Sequence, residues 1–333
     1  MKQIAFVEKN ATKIIDVVKK EPSHDEVCVE MCYTAISAGT ERANLIGDPN
    51  VCGNGDTLGW PRVVGYSGSG VVVSIGENVT DLKVGDRVIT YWGKHQQFNT
   101  LPQKNVVKIQ NDSIDMTEAA FAFISTFSLA AIRKCRIELG ESCMVFGLGL
   151  LGLFSIQYAH ISGAYPVIAV DFSQERRELA LKLGAHFAFD PSDKDFHEKI
   201  MEVTESQGAN TIIEVTGNTD ALNMALDNAA KCARVALLGC TMVATTVDFY
   251  HKVHFPGITL IGAHTAARPE LESRPGCWTH YDDCKAALKM LSSGMLNIKD
   301  MINEVNPYTE AEAVFHRLAT DKNFPIGVAF SWR

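Results

Sequence analysis

The segment Val145-Phe146-Gly147-Leu148-Gly149-Leu150-Leu151-Gly152 places three glycines at the spacing a phosphate-cradling turn requires. Gly147 permits a sharp bend, Gly149 lets backbone approach a pyrophosphate, and Gly152 lets a helix pack tightly on the preceding strand. An apolar strand comes before the glycines and a helical stretch follows. The free N–H groups of the helix start, at Leu150 and Leu151, would therefore point at the phosphates. Asp171 closes the next strand, about twenty residues on, where a carboxylate can accept both ribose hydroxyls of NAD. The chemistry these residues suit is hydride transfer by a bound nicotinamide cofactor. The alternative is a glycine-rich turn with no ligand, and the acid at the next strand end weighs against it.

The elements that must hold this loop are legible around it. From about residue 143 to 262 the chain alternates strand and helix. Strands are expected at Met144–Phe146, Val167–Val170, Phe187–Phe189, Thr211–Val215, Arg234–Leu238 and Ile258–Ile261. Helices are expected at Leu151–Ser162, Gln174–Leu183, Asp195–Glu205 and Ala221–Lys231. Short, nearly continuous apolar strands with helical crossovers predict an α/β fold with a doubly wound parallel sheet of Rossmann type. The first 120 residues instead carry short strands such as Gly70–Val73 and Asp86–Ile89, joined by turn signals. They predict a β-rich barrel-like unit. The segment from about Ala266 holds one clear helix, Tyr281–Ser293, and a β-like tail, Pro325–Trp332. It is too small to bury its own core and should return to the N-terminal unit. The expected division is 1–122 with 266–333, and 123–265.

Composition narrows the classes. The chain has 333 residues, 46% hydrophobic and 21% charged, with a formal net charge of −8. Interspersed charge with no basic stripe argues against nucleic acid as a partner. The start, Met1–Lys9, is too short an apolar run for a signal peptide. The apolar stretch from Cys143 to Ile161 is better read as strand, turn and helix than as a membrane span. The nine cysteines contain no CxxC pair, and most sit among apolar residues. A reduced, cytoplasmic setting is expected.

This arrangement resembles the medium-chain dehydrogenase/reductase superfamily over nearly the whole chain. Its markers are Ala38-Gly39-Thr40-Glu41, Gly65 to Val71, Val84-Gly85-Asp86-Arg87-Val88, the glycine loop and Asp171. The resemblance implies a GroES-like catalytic domain beside the Rossmann domain, a small-molecule substrate, and a homodimer paired through the last strand, Ile258–Ile261. It also implies that Arg176, five residues after the acid, supports NAD. Thr216 and Gly239, at strand ends beside the loop, and His264, past the last strand, complete the cofactor-binding candidates. The segment Ile36–Glu41 looks like the branch that contains the bacteriochlorophyllide hydroxyethyl dehydrogenases.

Zinc-dependent members carry a Cys, a His-Glu pair and a further acid or Cys at their metal site. The matching positions here are Ala38, Tyr66, Ser67 and, for the later acid, the neighbourhood of Ser125. Methyl, phenol and hydroxyl groups do not make a zinc site. The four-Cys structural lobe is also missing, since no cysteine lies between Cys52 and Cys135. The expectation is a metal-free NAD(H) oxidoreductase of secondary alcohols or ketones. Thr40 and Tyr66 would form the polar end of its site, and His95 would be a loop group able to take or give a proton. Tyr66 could equally be an aromatic core filler, and His95 a hydrogen-bonding loop residue. Glu41 reads as a solvated or structural carboxylate. Tyr91, Trp92 and Trp278 could line a cleft for a ring-bearing substrate. Arg268 and Trp278 could meet an anion and a ring, or be a surface arginine and a packed tryptophan. Two other functions fit: a reductase of activated alkenes or quinones, and an NAD-binding sensor without turnover. Asp171 weighs against the first, because such relatives usually prefer NADPH and a carboxylate repels its 2′-phosphate.

Overall fold

The computed structural model of the chain describes residues 1–48, 59–240 and 243–333, so Cys52 lies outside the described residues. Two compact units divide the chain. One comprises Met1–Ile124, Cys284–Gly294 and Ile298–Arg333; the other comprises Ser125–Asp283 and Met295–Asn297. Among the described residues, no helix is long and apolar enough to cross a membrane.

The second unit is built on a parallel sheet of six strands: Cys143–Phe146, Val167–Val170, Phe187–Phe189, Ala209–Glu214, Ala229–Leu237 and Thr259–Gly262. Across the sheet they lie in the order third, second, first, fourth, fifth, sixth. This is the Rossmann order, with its reversal beside the first strand. Cys143 pairs with Val167 on one side and Thr211 on the other, so the glycine loop opens at that reversal. The first two strands are buried along their whole length, which is why they read as unbroken apolar runs rather than as alternation. Helices fill the crossovers at Leu150–Ile161, Gln174–Lys182, Phe196–Val203 and Thr219–Asp227. The last of these corrects the expected Ala221–Lys231. Asn218 caps its start by accepting from the N–H groups of Asp220 and Ala221, and Asn228 ends it. The residues from Ala229 are already strand.

In the first unit, Glu26–Ala35 is the organising strand. It pairs antiparallel with Ser67–Ile75, Phe98–Pro102 and Gly327–Ser331. The C-terminal strands Ile302–Pro307 and Gly327–Ser331 thus extend the N-terminal sheet, with Ala329 opposite Ala35. The reason is apolar: Phe330 and Phe315 are fully buried with Phe6, and the rings of Phe6 and Phe315 meet edge to face at 4.9 Å. Residues 266–283, assigned from the sequence to this unit, belong to the other. Buried Asp283 anchors them there through Arg133 at 2.7 Å and Arg268 at 2.8 Å.

Candidate functional site

Gly147 lies at φ +89°, where a side chain would be strained, and a Cβ there would press on the Thr216 methyl. A Cβ on Gly152 would collide with the Gly147 carbonyl oxygen, so the helix that follows packs hard against the loop. At Gly149, by contrast, no atom lies within 4 Å of where a Cβ would stand. Gly149 is the N-cap of helix Leu150–Ile161 and offers no side chain to its first N–H groups. Open space in front of uncapped amides suits an anion such as a pyrophosphate.

Asp171 stands beside this loop. Its Oδ2 accepts the Leu148 N–H at 2.7 Å, and its Oδ1 accepts the Ser173 N–H at 2.8 Å. Arg176 is half-buried in the first turn of the helix capped by Ser173. The neighbouring Arg177 was not singled out by the sequence, yet it clamps the acid's backbone. Its Nη1 donates to the carbonyls of Asp171 and Phe172 at 2.6 and 2.9 Å and pairs with Asp190 at 2.9 Å. Thr216 adjoins the loop through a turn that Glu214 organises. Fully buried Glu214 accepts from the Thr216 hydroxyl and from the N–H groups of Thr216 and Gly217. Burial pushes its pKa up against those hydrogen bonds. Gly239 packs on the same turn, where a Cβ would lie 2.6 Å from the Val215 carbonyl oxygen. His264 is exposed two residues beyond the edge strand, and its Nδ1 accepts the Ala266 N–H at 3.2 Å.

In the first unit, Thr40 is exposed in the first turn of helix Ala38–Leu45. Tyr66 joins an aromatic cluster, with its ring centre 5.7 Å from Trp92 and 5.9 Å from Phe123. Phe123 also stacks on Tyr91 at 5.1 Å, so it is the centre of the cluster. It sits in an apolar helical run with no sequence signal to mark it. Tyr91 is buried and donates its hydroxyl to the Lys104 carbonyl. Ser67 spends its hydroxyl on the Ala120 carbonyl, and in the other unit Ser125 pairs with the Tyr158 hydroxyl at 2.8 Å. Among the described residues, no three of His, Cys, Asp and Glu form a group able to hold a metal.

His95 corrects the expectation of a proton-handling group facing a cleft. It is 0% exposed. Its Nδ1 meets Thr34 Oγ1 at 2.7 Å, and its Nε2 meets Glu41 Oε2 at 3.0 Å. Trp332 Nε1 donates to the same Thr34 oxygen at 2.9 Å, and the Ser37 N–H donates to Glu41 Oε1 at 3.1 Å. Every partner is satisfied if Trp332 donates to Thr34, Thr34 to His95, and His95 to Glu41. The ring of Phe330 packs against the imidazole at 5.4 Å. A side chain so enclosed holds the fold and does not meet a substrate. Gly65 lets this happen, because any Cβ there would overlap the His95 backbone and ring.

Arg268 is likewise no surface residue. Its side chain is 2% exposed, paired with Asp283 and donating to the Thr126 carbonyl. Trp278 lies under the Arg133 guanidinium at 3.5 Å. Both hold residues 266–283 in place.

Two family models match the chain in the order its units suggest. Residues 23–111 match the alcohol dehydrogenase GroES-like domain, and residues 151–274 match the zinc-binding dehydrogenase domain. The chain belongs to the medium-chain dehydrogenase/reductase superfamily, among its alcohol dehydrogenase-like members. It is an oxidoreductase. The L-threonine 3-dehydrogenase of Pyrococcus horikoshii is 26% identical over 296 residues, covering 79% of this chain and 80% of the relative. The D-guloside 3-dehydrogenase of Escherichia coli is 26% identical over 267 residues, covering 78% and 75%. An alcohol dehydrogenase of Escherichia coli, solved with NADH, shares the fold at a TM-score of 0.84 with 20% identity, covering 99% of each chain.

Proposed function

We propose that this oxidoreductase uses NAD(H) and moves hydride between nicotinamide and a secondary alcohol or ketone without a catalytic metal. The observation that carries the cofactor reading is the Asp171 carboxylate at the mouth of the glycine loop, 2.7 Å from the Leu148 nitrogen. The loop backbone would hold the pyrophosphate, and Asp171 would accept from the ribose hydroxyls and disfavour a 2′-phosphate. The nicotinamide supplies the hydride chemistry when bound. The names of the threonine and guloside dehydrogenases support an alcohol substrate.

The metal-free part of the reading rests on donor chemistry. Zinc takes thiolate, imidazole or carboxylate, and the matching positions offer a methyl group at Ala38, a phenol at Tyr66 and a hydroxyl at Ser67 already given to a backbone carbonyl. These residues do not fit zinc. Tyr66 would donate to the developing alkoxide-like oxygen, with the exposed Thr40 hydroxyl orienting it. The likeness of Ile36–Glu41 to the bacteriochlorophyllide branch is in keeping with a ring-bearing substrate beside the aromatic cluster. We also propose a dimer paired through edge strand Thr259–Gly262, for which light scattering should give twice the chain mass.

A panel of alcohols and ketones followed by NADH absorbance tests the whole reading. Turnover should persist after metal chelation, and Tyr66→Phe should lower kcat by about tenfold or more. Strong NADPH preference would favour the alkene or quinone reductase instead. NAD binding with no turnover across the panel would favour the sensor. Stoichiometric zinc needed for the rate would overturn the metal-free chemistry.

A further inference from the structure

Asp171 can face a ribose only while the backbone that carries it keeps its course, and the sheet alone does not hold that backbone. The ladder between the second and third strands ends at Val170 opposite Phe189. The Asp171 N–H reaches the Phe189 carbonyl only at 3.3 Å, a long hydrogen bond. Phe172 is 72% exposed, so packing does little to pin the turn. Arg177, one turn into helix Gln174–Lys182, grips it instead. Its Nη1 donates to the Asp171 and Phe172 carbonyls at 2.6 and 2.9 Å. Two successive carbonyls thus meet one cationic nitrogen, a stronger tie than a neutral donor would make.

The guanidinium is itself anchored. The same Nη1 pairs at 2.9 Å with Asp190, which follows the end of the third strand at Phe189. Ser192 fixes that carboxylate in turn, donating its N–H at 2.9 Å and its hydroxyl at 2.5 Å. The Ser192 hydrogen bonds, and then Arg177, hold the Asp190 pKa below the usual carboxylate range. One arginine therefore joins the ends of the second and third strands to the turn that presents Asp171. The Asp171 carboxylate already bridges two amides, Leu148 in the glycine loop and Ser173 at the helix start. A turn free to shift would draw it away from the loop.

We infer that Arg177 is a positioning residue that sets the choice of nucleotide by holding Asp171 at the glycine loop. The inference rests on the NAD(H) reading of that loop and adds to it a residue that acts through the acid rather than on the cofactor. The test is the dissociation constants of NADH and NADPH for the full-length protein, read by quenching of protein fluorescence. The parent should bind NADH more tightly. Arg177→Met should weaken NADH at least about tenfold and NADPH much less, so that the discrimination between them falls. Asp190→Asn keeps the shape of the anchor without its charge and should shift the discrimination the same way by less. In an Asp171→Ser background, Arg177→Met should leave the discrimination unmoved, because the carboxylate it holds is gone. A merely structural arginine would weaken both nucleotides alike, and that result would overturn the inference. An arginine that met the 2′-phosphate directly would have the opposite sign, with NADPH weakened more than NADH, and would overturn it too. Should Arg177→Met fail to fold, unchanged discrimination in Asp190→Asn would do the same. A parent that prefers NADPH would instead overturn the NAD(H) reading and the inference with it.

Discussion

Replacing His95 with Leu should cost far more stability than its one imidazole suggests. The side chain is 0% exposed and Glu41 is 1% exposed. Leucine fills a similar volume but leaves the Glu41 Oε2 with no donor at 3.0 Å and the Thr34 hydroxyl with no acceptor at 2.7 Å. Taking away the donor to a buried carboxylate costs about 3–5 kcal/mol, mostly because the charge stays buried without its hydrogen bond. At a urea slope of about 2 kcal/mol/M, that lowers the unfolding midpoint by about 1.5–2.5 M. Tryptophan fluorescence is a suitable readout, since Trp60, Trp92 and Trp332 all belong to the first unit and only Trp278 to the second. Trp332 shares the Thr34 oxygen with His95, so it should respond directly. The double variant His95→Leu/Glu41→Leu removes the stranded carboxylate and should recover at least about 2 kcal/mol of the loss. A His95→Leu cost below about 1 kcal/mol would refute the reasoning. A double variant as unstable as the sum of the two singles would do so as well.

Three further outcomes follow from the second unit. Asp171→Ser removes a carboxylate next to the glycine loop and should raise kcat/KM with NADPH, relative to NADH, at least about tenfold; an unchanged ratio would take Asp171 out of cofactor choice. Gly152→Ala drives a methyl group into the Gly147 carbonyl and should abolish NADH binding, measured by quenching of protein fluorescence, with far-UV circular dichroism largely retained. His280 has its pKa lowered to about 4 by burial and by nearby Arg268. Its folded value lies below the unfolded value of about 6.5, so the unfolded chain takes up the proton first. Stability should be complete above about pH 6.5 and fall as pH drops toward 4, and His280→Asn should flatten that part of the urea-midpoint profile.

The parallel sheet was legible because burial on both faces writes itself as contiguous apolar runs, as in Cys143–Phe146 and Val167–Val170. The glycine loop was legible because its tightest constraint is local: Gly152 packs on the Gly147 carbonyl, five residues away. The helix expected to run to Lys231 stops at Asp227, where Asn228 competes for backbone hydrogen bonds and strand Ala229–Leu237 begins. Contacts across long separations leave no such local trace. His95 and Glu41 are 54 positions apart, and Arg268 reaches Thr126 over 142. A loop histidine and an arginine look alike in sequence whether they meet solvent or a buried carboxylate. Composition cannot tell these cases apart, because the deciding partner lies on another element.

The Glu41–His95 pair bears on the proposed chemistry through what each residue is no longer available to do. Glu41 holds the imidazole of His95, which is enclosed by Phe330 and tied to the C-terminal strand through Thr34 and Trp332. It also grips the Ser37 N–H at the start of helix Ala38–Leu45, which carries Thr40. In the proposed chemistry a carboxylate committed in this way would position Thr40. On this reasoning Glu41→Gln, which keeps the shape but weakens both hydrogen bonds, should raise KM for an alcohol substrate more than it lowers kcat. A fall in kcat matching that of Tyr66→Phe, with KM unmoved, would place Glu41 in the proton path instead.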